Sequence, residues 1–114
     1  MPDALDPEDA KLVTLARSGR ARNAAAEGAA VRDVTGRTYV ATTVALESLR
    51  LSALQSAVAA AVASGADGLE CAVVVSEETQ PDEAGLAAVR DLAGSGCPVL
   101  LVAPDGHVVL ASTT

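Results

Sequence analysis

Aromatic side chains are almost missing from this sequence of 114 residues: Tyr39 is the only one, and there is no tryptophan or phenylalanine. Half of the residues are apolar, and most of these are alanine, valine and leucine. Large rings supply much of the buried area in ordinary cores, so a core of small side chains must gain burial by bringing backbones close together. The composition therefore predicts one domain in which helices pack tightly on a sheet.

Basic residues are also scarce, with eight lysines and arginines against fifteen acids and a net charge of −7. Proteins bind a phosphate backbone through clustered positive charge, and they bind single strands with the help of stacking rings. The acidic balance and the single tyrosine therefore predict that nucleic acid is not a partner.

No apolar run reaches the roughly 20 residues that are needed to cross a bilayer. The first six residues, MPDALD, are acidic and do not resemble the basic start of a signal peptide. We therefore expect no membrane association and a cytoplasmic location.

The residue types that bind transition metals are few: two cysteines and one histidine. Cys71 and Cys97 lie at or beside predicted buried strands. We expect buried thiols that act as small hydrophobes, and a redox pair is the alternative. His107 follows a Pro-Asp-Gly turn, where an exposed side chain is expected, and no nucleophile motif accompanies it.

Capping residues and hydrophobic spacing predict three helices. The first begins after Asp6, which is followed by a proline and two acids. The second covers Leu49–Ser64, and its regular part begins near Ser52, which forms a capping-box pattern with the glutamine three residues later. The third begins with a second capping box, made of Thr79 and Asp82.

Runs of apolar and β-branched residues predict five strands. Residues 28–33 and 38–44 form a hairpin, in which Gly36 supplies the positive φ of a tight turn. The remaining predicted strands are Cys71–Val75, Pro98–Ala103 and His107–Ala111. The predicted fold is α/β with the order α-β-β-α-β-α-β-β, a three-layer arrangement of a mixed β-sheet with helices on its faces.

Several stretches occur in the same order as in a known family. Glu27–Val31 is similar to a V-G-A-A strand, residues 35–39 to a hairpin turn, residues 61–65 to a helix end, and Pro81–Leu86 to a P-C-x-x-C helix start. In these stretches, and over about residues 8 to 111 with one gap near Thr42–Leu49, the chain resembles the small homotetrameric cytidine deaminases. The resemblance implies their fold and a homo-oligomer, either a dimer or a tetramer.

The same resemblance locates the positions at which that family performs its chemistry. Zinc deaminases bind the metal through one His or Cys and two further Cys, and a Glu beside the first ligand moves protons. Here Ser52 stands for the first ligand, Leu54 for the Glu, and Asp82 and Gly85 for the later cysteines. The resemblance therefore implies a degenerate site with no catalytic residue, no metal and no cofactor.

A second group of residues defines a candidate ligand cleft. Thr43 and Ala45 belong to a stretch similar to the family's substrate-side strand, although this stretch has no carboxylate to grip a ribose. Glu77 and Glu78 follow a predicted central strand, where open α/β sheets place ligands. The acids that could form a weak cation site there, or instead cap a helix and solvate a loop, are Asp33, Glu77, Glu78, Asp82 and Glu83.

Three functional hypotheses follow, in order of preference. The first is a catalytically inactive protein with the deaminase fold, which acts as an oligomeric scaffold or regulatory module for an unidentified protein partner. The second is a metal-free module that binds a nucleoside-like small molecule. The third, an active deaminase, needs Cys71, Cys97 and His107 to converge on zinc, and their spacing matches no deaminase pattern.

Overall fold

A five-stranded β-sheet lies at the centre of the computed structural model, which describes residues 5–114. In chain order the elements are α1 (Pro7–Asn23), β1 (Gly28–Asp33), β2 (Thr38–Thr42), β3 (Val44–Ala45), β4 (Arg50–Leu51), α2 (Ala53–Ala63), β5 (Leu69–Val75), α3 (Glu83–Ala93), β6 (Pro98–Val102) and β7 (Val108–Thr113). The main sheet has the order β2-β1-β5-β6-β7. Residues 1–4, part of the acidic start of the sequence, lie outside the described residues.

Helices cover both faces of this sheet, so the protein has three layers. On one face, Leu12 of α1 is buried beside Val73 of β5. On the other face, Leu54 of α2 and Val89 of α3 are buried together. β5 and β6 are parallel and are connected through α3, whereas the other neighbouring strands are antiparallel. The predicted three-layer mixed sheet is therefore confirmed.

None of the helices within residues 5–114 combines the length and the apolar character that crossing a membrane requires.

Small residues allow α1 to approach the sheet closely. Ala16 is fully buried, and a Cβ on Gly28 of β1 would overlap the carbonyl oxygen of Ala16. A Cβ on Gly19 would lie 3.0 Å from a methyl carbon of Val40. Close backbone approach is the kind of packing that the aromatic-poor composition predicts.

The segment between the second strand and the second helix differs from the prediction. Residues 49–51 are not helical: Arg50 pairs with Ala45, and the Leu46 N–H donates to the Leu49 carbonyl at 2.8 Å. This short β3–β4 hairpin adds two strands to the predicted order. Strands of two residues are too short to show a periodicity in the sequence, which explains why they were not predicted.

Capping bonds determine where α2 and α3 begin. Ser52 Oγ accepts from the Gln55 N–H at 3.1 Å, and Gln55 Oε1 accepts from the Ser52 N–H at 2.9 Å, so the first predicted capping box is confirmed. The second box is wrong, because Asp82 itself is the N-cap of α3 and accepts from the Gly85 N–H at 2.6 Å. An aspartate is a favourable N-cap, and the helix therefore begins at Glu83, after Thr79.

The two cysteines lie in separate parts of the core. Cys71 is buried on the α1 side of the sheet, and Cys97 is buried on the side of α2 and α3; both are free thiols. Burial raises the pKa of the Cys71 thiol to about 12. No bond joins the two thiols, and the redox pair stays an untested alternative. His107, with 70% of its side chain exposed, does not gather with them in a metal site within residues 5–114.

Asp33 holds the turn between β1 and β2 together. Its carboxylate accepts from the hydroxyls of Thr35 and Tyr39 at 2.7 and 2.8 Å, and from the N–H groups of Thr35 and Arg37 at 2.9 and 3.0 Å. The hydrogen bond from the Thr35 hydroxyl has the largest effect on the pKa of Asp33. Burial by itself would raise this pKa, but the hydrogen bonds outweigh it and lower the pKa from 3.8 to about 2. Gly36 has a φ of +91°, as predicted for this turn.

We expect the free energy of unfolding to decrease at acidic pH as the Asp33 carboxylate takes up a proton. Its pKa is lower in the folded state than in the unfolded chain. Its contribution is therefore complete above about pH 4 and is lost as the pH falls towards 2. Chemical denaturation between pH 5 and pH 2 is expected to show a smaller decline in unfolding free energy for Asp33→Asn than for the wild type.

The control is Asp67→Asn, which removes an exposed acid that lines the same cavity beside the turn. This variant is expected to keep the wild-type pH dependence. If Asp33→Asn also kept it, the Asp33 carboxylate would not be the group that stabilises the turn.

Candidate functional site

The first turns of α2 and α3 meet, and this contact brings three of the four degenerate positions together. Leu54 is the second residue of α2, and Gly85 is the third residue of α3. A Cβ on Gly85 would lie 2.8 Å from the Cβ of Leu54 and 2.7 Å from each carboxylate oxygen of Asp82. Only glycine leaves the helices room to approach in this way. Ser52 caps α2 two residues before Leu54.

The polar side chains near this contact cap the two helices. Ser52 Oγ and Asp82 Oδ2 each accept a backbone N–H of their own helix. Asp82 Oδ1 is buried and has no hydrogen-bond partner among residues 5–114. That atom is the one polar group here that could face a ligand.

Zinc does not fit these residues. A zinc site needs three protein ligands, and at catalytic sites a further open position for water. Gly85 has no side chain, Leu54 has no donor atom, and Ser52 offers only a hydroxyl oxygen. Within residues 5–114, no three His, Cys, Asp or Glu side chains gather in a way that could hold a metal ion. These residues therefore support no chemistry through zinc.

Leu54 occupies a core position. It is 0% exposed and belongs to the cluster that α2 and α3 form against the sheet, together with Val89 and Leu101. Full burial of a leucine side chain contributes about 1.5–3 kcal/mol to stability, whereas an unpaired carboxylate at the same place would be strongly destabilising. The position that the resemblance aligns with the proton-moving Glu is therefore filled by apolar packing.

A separate cavity of about 280 Å³ lies where β5 ends. Thr43, Glu77 and Glu78 line it together, with Ala26, Glu27 and Ser76 as further lining residues. Ala45 is not among these residues, because it pairs with Arg50 in the β3–β4 hairpin. The Thr43 hydroxyl accepts from the Glu27 N–H at 3.1 Å, which fixes the wall of the cavity.

Glu27 was not predicted as a residue of this cleft. Its only signal in the sequence is its place immediately before the first strand. The pairing of Glu27 with Thr43 depends on the register of β1 and β2, in which Gly28 lies opposite Thr42.

The five acids that were considered as a cation site do not form one cluster. Asp33 lies opposite Leu69, the first residue of β5, whereas Glu77 follows the last residues of that strand. β1 is antiparallel to β5, so the end of β1 lies beside the start of β5 and far from Glu77. Asp82 and Glu83 begin α3, where Asp82 caps the helix.

The alanine face of α2 packs mainly on the protein's own sheet, since Ala53, Ala57 and Ala61 are fully buried. On the outer side of the two helices lies a groove of about 250 Å³. It is lined by Val58, Val62, Ala88, Asp91 and Leu92. Val62 is 54% exposed, so this groove is open to further contacts.

Three solved structures have the same arrangement of sheet and helices. The cytidine deaminase from Mycobacterium leprae is 23% identical, with 95% of this chain and 94% of that chain covered and a TM-score of 0.74. The cytidine deaminase from Burkholderia pseudomallei is 22% identical, with 91% and 89% covered and a TM-score of 0.76. The E47Q mutant cytidine deaminase from Mycobacterium tuberculosis is 22% identical, with 93% of each chain covered and a TM-score of 0.69. The protein therefore has the cytidine deaminase fold.

A family model described as cytidine deaminase-like matches residues 5–106. The chain belongs to the cytidine deaminase-like family, and the resemblance inferred from the sequence is confirmed. No curated protein matches the chain.

We expect Leu54→Glu to destabilise the protein strongly at neutral pH. Leu54 is fully buried, so the new carboxylate would have a raised pKa, and its charged form would be held in apolar surroundings. The cost is expected to be about 4 kcal/mol at pH 7, and to decrease as the pH falls and the acid takes up a proton in the folded state. Denaturant unfolding at several pH values measures this cost.

Two controls separate charge from shape. Leu54→Gln introduces a polar group of similar size without charge, so its cost is expected not to vary with pH. Ala59→Glu places the same acid on the same helix at an exposed position outside the groove, and a change within about 0.5 kcal/mol is expected. If Leu54→Glu were as mild as Ala59→Glu, position 54 would be able to accommodate an acid.

Proposed function

We propose that this chain is a catalytically inactive member of its family, which acts as an oligomeric scaffold or regulatory module. The observation that supports this most is Leu54, a fully buried apolar side chain at the position of the proton-moving acid. Gly85 supports it further, because it removes a ligand and allows the two helices to close on Leu54. Ser52 and Asp82 have become helix caps.

Assembly is supported by the resemblance to homotetrameric deaminases and by the groove between α2 and α3. Val62 lies at this groove and is 54% exposed. Covering apolar surface of this kind with a second copy contributes roughly 25 cal/mol per Å². A dimer or tetramer is therefore the proposed form, and the cytoplasmic location stays a prediction from composition.

Zinc content and cytidine turnover test the loss of catalysis. We expect untagged, purified protein to contain no bound zinc by elemental analysis and to deaminate no cytidine, because the chain does not supply three ligands and a proton-moving acid. The cytidine deaminase from Mycobacterium leprae, assayed in parallel, serves as the positive control. One zinc ion per chain together with turnover would falsify this part of the proposal.

Light scattering on the same sample tests assembly. The expected mass is a multiple of the 11.3 kDa chain, and Val62→Lys is expected to shift it towards the monomer. Val34→Lys is the matched control, since Val34 is exposed to nearly the same extent, 53%, and lies at the β1–β2 turn. A monomeric wild-type protein would contradict the scaffold proposal.

The alternative function, a metal-free module for a nucleoside-like ligand, is supported by the 280 Å³ cavity beside β5. Thr43, Glu77 and Glu78 supply hydroxyl and carboxylate groups that could accept hydrogen bonds from ribose hydroxyls. The same acids would repel a phosphorylated ligand, so a neutral nucleoside is the class that fits.

Thermal unfolding with a panel of nucleosides distinguishes the two functions. A ligand present at 100 times its Kd adds about 2.7 kcal/mol to the stability of the folded state. If this cavity binds a nucleoside, Glu78→Gln is expected to reduce the shift, whereas Glu83→Gln, outside the cavity lining, is expected to retain it. The scaffold proposal predicts no shift with any nucleoside in the panel.

A further inference from the structure

A cavity of about 310 Å³ lies between α1 and the ends of β5 and β6. Its lining includes Thr14, Arg17, Ser18, Arg20, Val75 and Pro104. Two of these residues are arginines three positions apart on α1, so both lie on the same side of the helix. Leu54 is buried on the other face of the sheet, and none of the hypotheses above assigns a role to this cavity.

Both guanidinium groups are fixed by backbone carbonyls. Arg17 Nε donates to the Pro104 carbonyl at 3.1 Å, and Arg20 Nε donates to the Ala26 carbonyl at 3.1 Å. Pro104 is 87 positions from Arg17 in the chain, whereas Ala26 lies in the loop that follows α1, six positions after Arg20. Each bond uses one N–H and leaves the terminal amino groups of the guanidinium to bind elsewhere. The two side chains are therefore held in place before any ligand arrives.

The charge at this place differs from that of the whole protein. The net charge of the chain is −7, yet the cavity lining contains two arginines and no acid. One acid approaches: Glu77 Oε2 lies 3.5 Å from Arg20 Nη2, and the Glu77 side chain is 79% exposed. An ion pair this exposed is weak, so a better-placed anion can displace it.

We propose that this cavity binds the phosphate group of a small ligand. A planar guanidinium presents parallel N–H donors whose spacing matches the oxygens of a phosphate, and such charge-assisted pairs are the strong ones. The Ser18 hydroxyl, in the lining between the two arginines, is a further donor. The volume is at the lower end of the range for ligand pockets, about 300–1,000 Å³, which fits inorganic phosphate or a small phosphate ester.

Titration followed by NMR tests the site. The probes are inorganic phosphate and ribose 5-phosphate, added at constant ionic strength, with sodium chloride as the reference. We expect saturable shifts of the Arg17 and Arg20 Nε–H signals with either phosphate. Tighter binding of ribose 5-phosphate would identify an ester as the ligand, and equal binding would identify the free anion. Shifts no larger than those in sodium chloride would overturn the proposal.

Variants locate the binding. Arg17→Gln and Arg20→Gln are each expected to weaken phosphate binding about tenfold, the loss typical of a hydrogen bond to a charged group. Arg22→Gln is the matched control, since Arg22 belongs to the same helix but does not line the cavity. An equal loss in Arg22→Gln would show that general electrostatic attraction, and not this site, binds phosphate.

Glu77→Gln tests the site through an expected increase in phosphate affinity. Removing the carboxylate that pairs with Arg20 frees a donor and a positive charge, so phosphate binding is expected to become tighter. Glu78→Gln removes the same charge from the next residue and is expected to have a smaller effect. If both variants left phosphate affinity unchanged, Arg20 would not be the group that binds the anion.

Discussion

Leu54 and Gly85 are in contact where α2 and α3 begin, and the proposed loss of catalysis depends on that contact. Because Gly85 has no side chain, the two helices approach until a Cβ there would lie 2.8 Å from the Cβ of Leu54. The space between the helix starts is therefore filled by a buried leucine. Ser52 and Asp82, on either side, are left to cap their own helices. In the proposed inactive protein, residues with structural roles occupy the positions that the resemblance assigns to the chemistry of zinc deaminases.

The same use of small residues extends through the fold. α1 lies so close to the sheet that a Cβ on Gly28 would overlap the backbone of Ala16, and the core is built from alanine, valine and leucine on both faces. The single aromatic residue, Tyr39, uses its hydroxyl to bind Asp33 at the β1–β2 turn. A protein with few large side chains thus obtains its packing from short distances between backbones.

Features that depend on neighbouring residues could be predicted from the sequence. The capping box at Ser52 and the turn at Gly36 follow from local chemistry, and both are present. The β3–β4 hairpin could not be predicted, because two-residue strands carry no pattern. Thr79 matches a capping motif, but Asp82 is the N-cap of α3, because its carboxylate accepts a hydrogen bond from the Gly85 N–H.

Most of the candidate sites could not be predicted from the sequence, because contacts between distant parts of the chain form them. Glu27 reaches the cleft beside β5 only because β1 and β2 pair in one register. The sequence predicts that Asp33 and Glu77 could belong to one acidic cluster, but the antiparallel pairing of β1 with β5 separates them. The arginine cavity depends on a bond between Arg17 and Pro104, which are 87 positions apart in the chain. The sequence alone did predict Thr43, Glu77 and Glu78 as cleft residues, and these three residues line one cavity. The four degenerate positions depend on the resemblance of whole stretches to a family, and their former role stays a prediction.

Anomalous diffraction at the zinc absorption edge, from crystals grown with excess zinc, shows whether the starts of α2 and α3 can hold the metal. We expect no anomalous peak there, with Leu54 and Gly85 in van der Waals contact. A peak between Ser52 and Asp82, with the two helices moved apart and Leu54 turned out of the core, would show that this place is still a metal site.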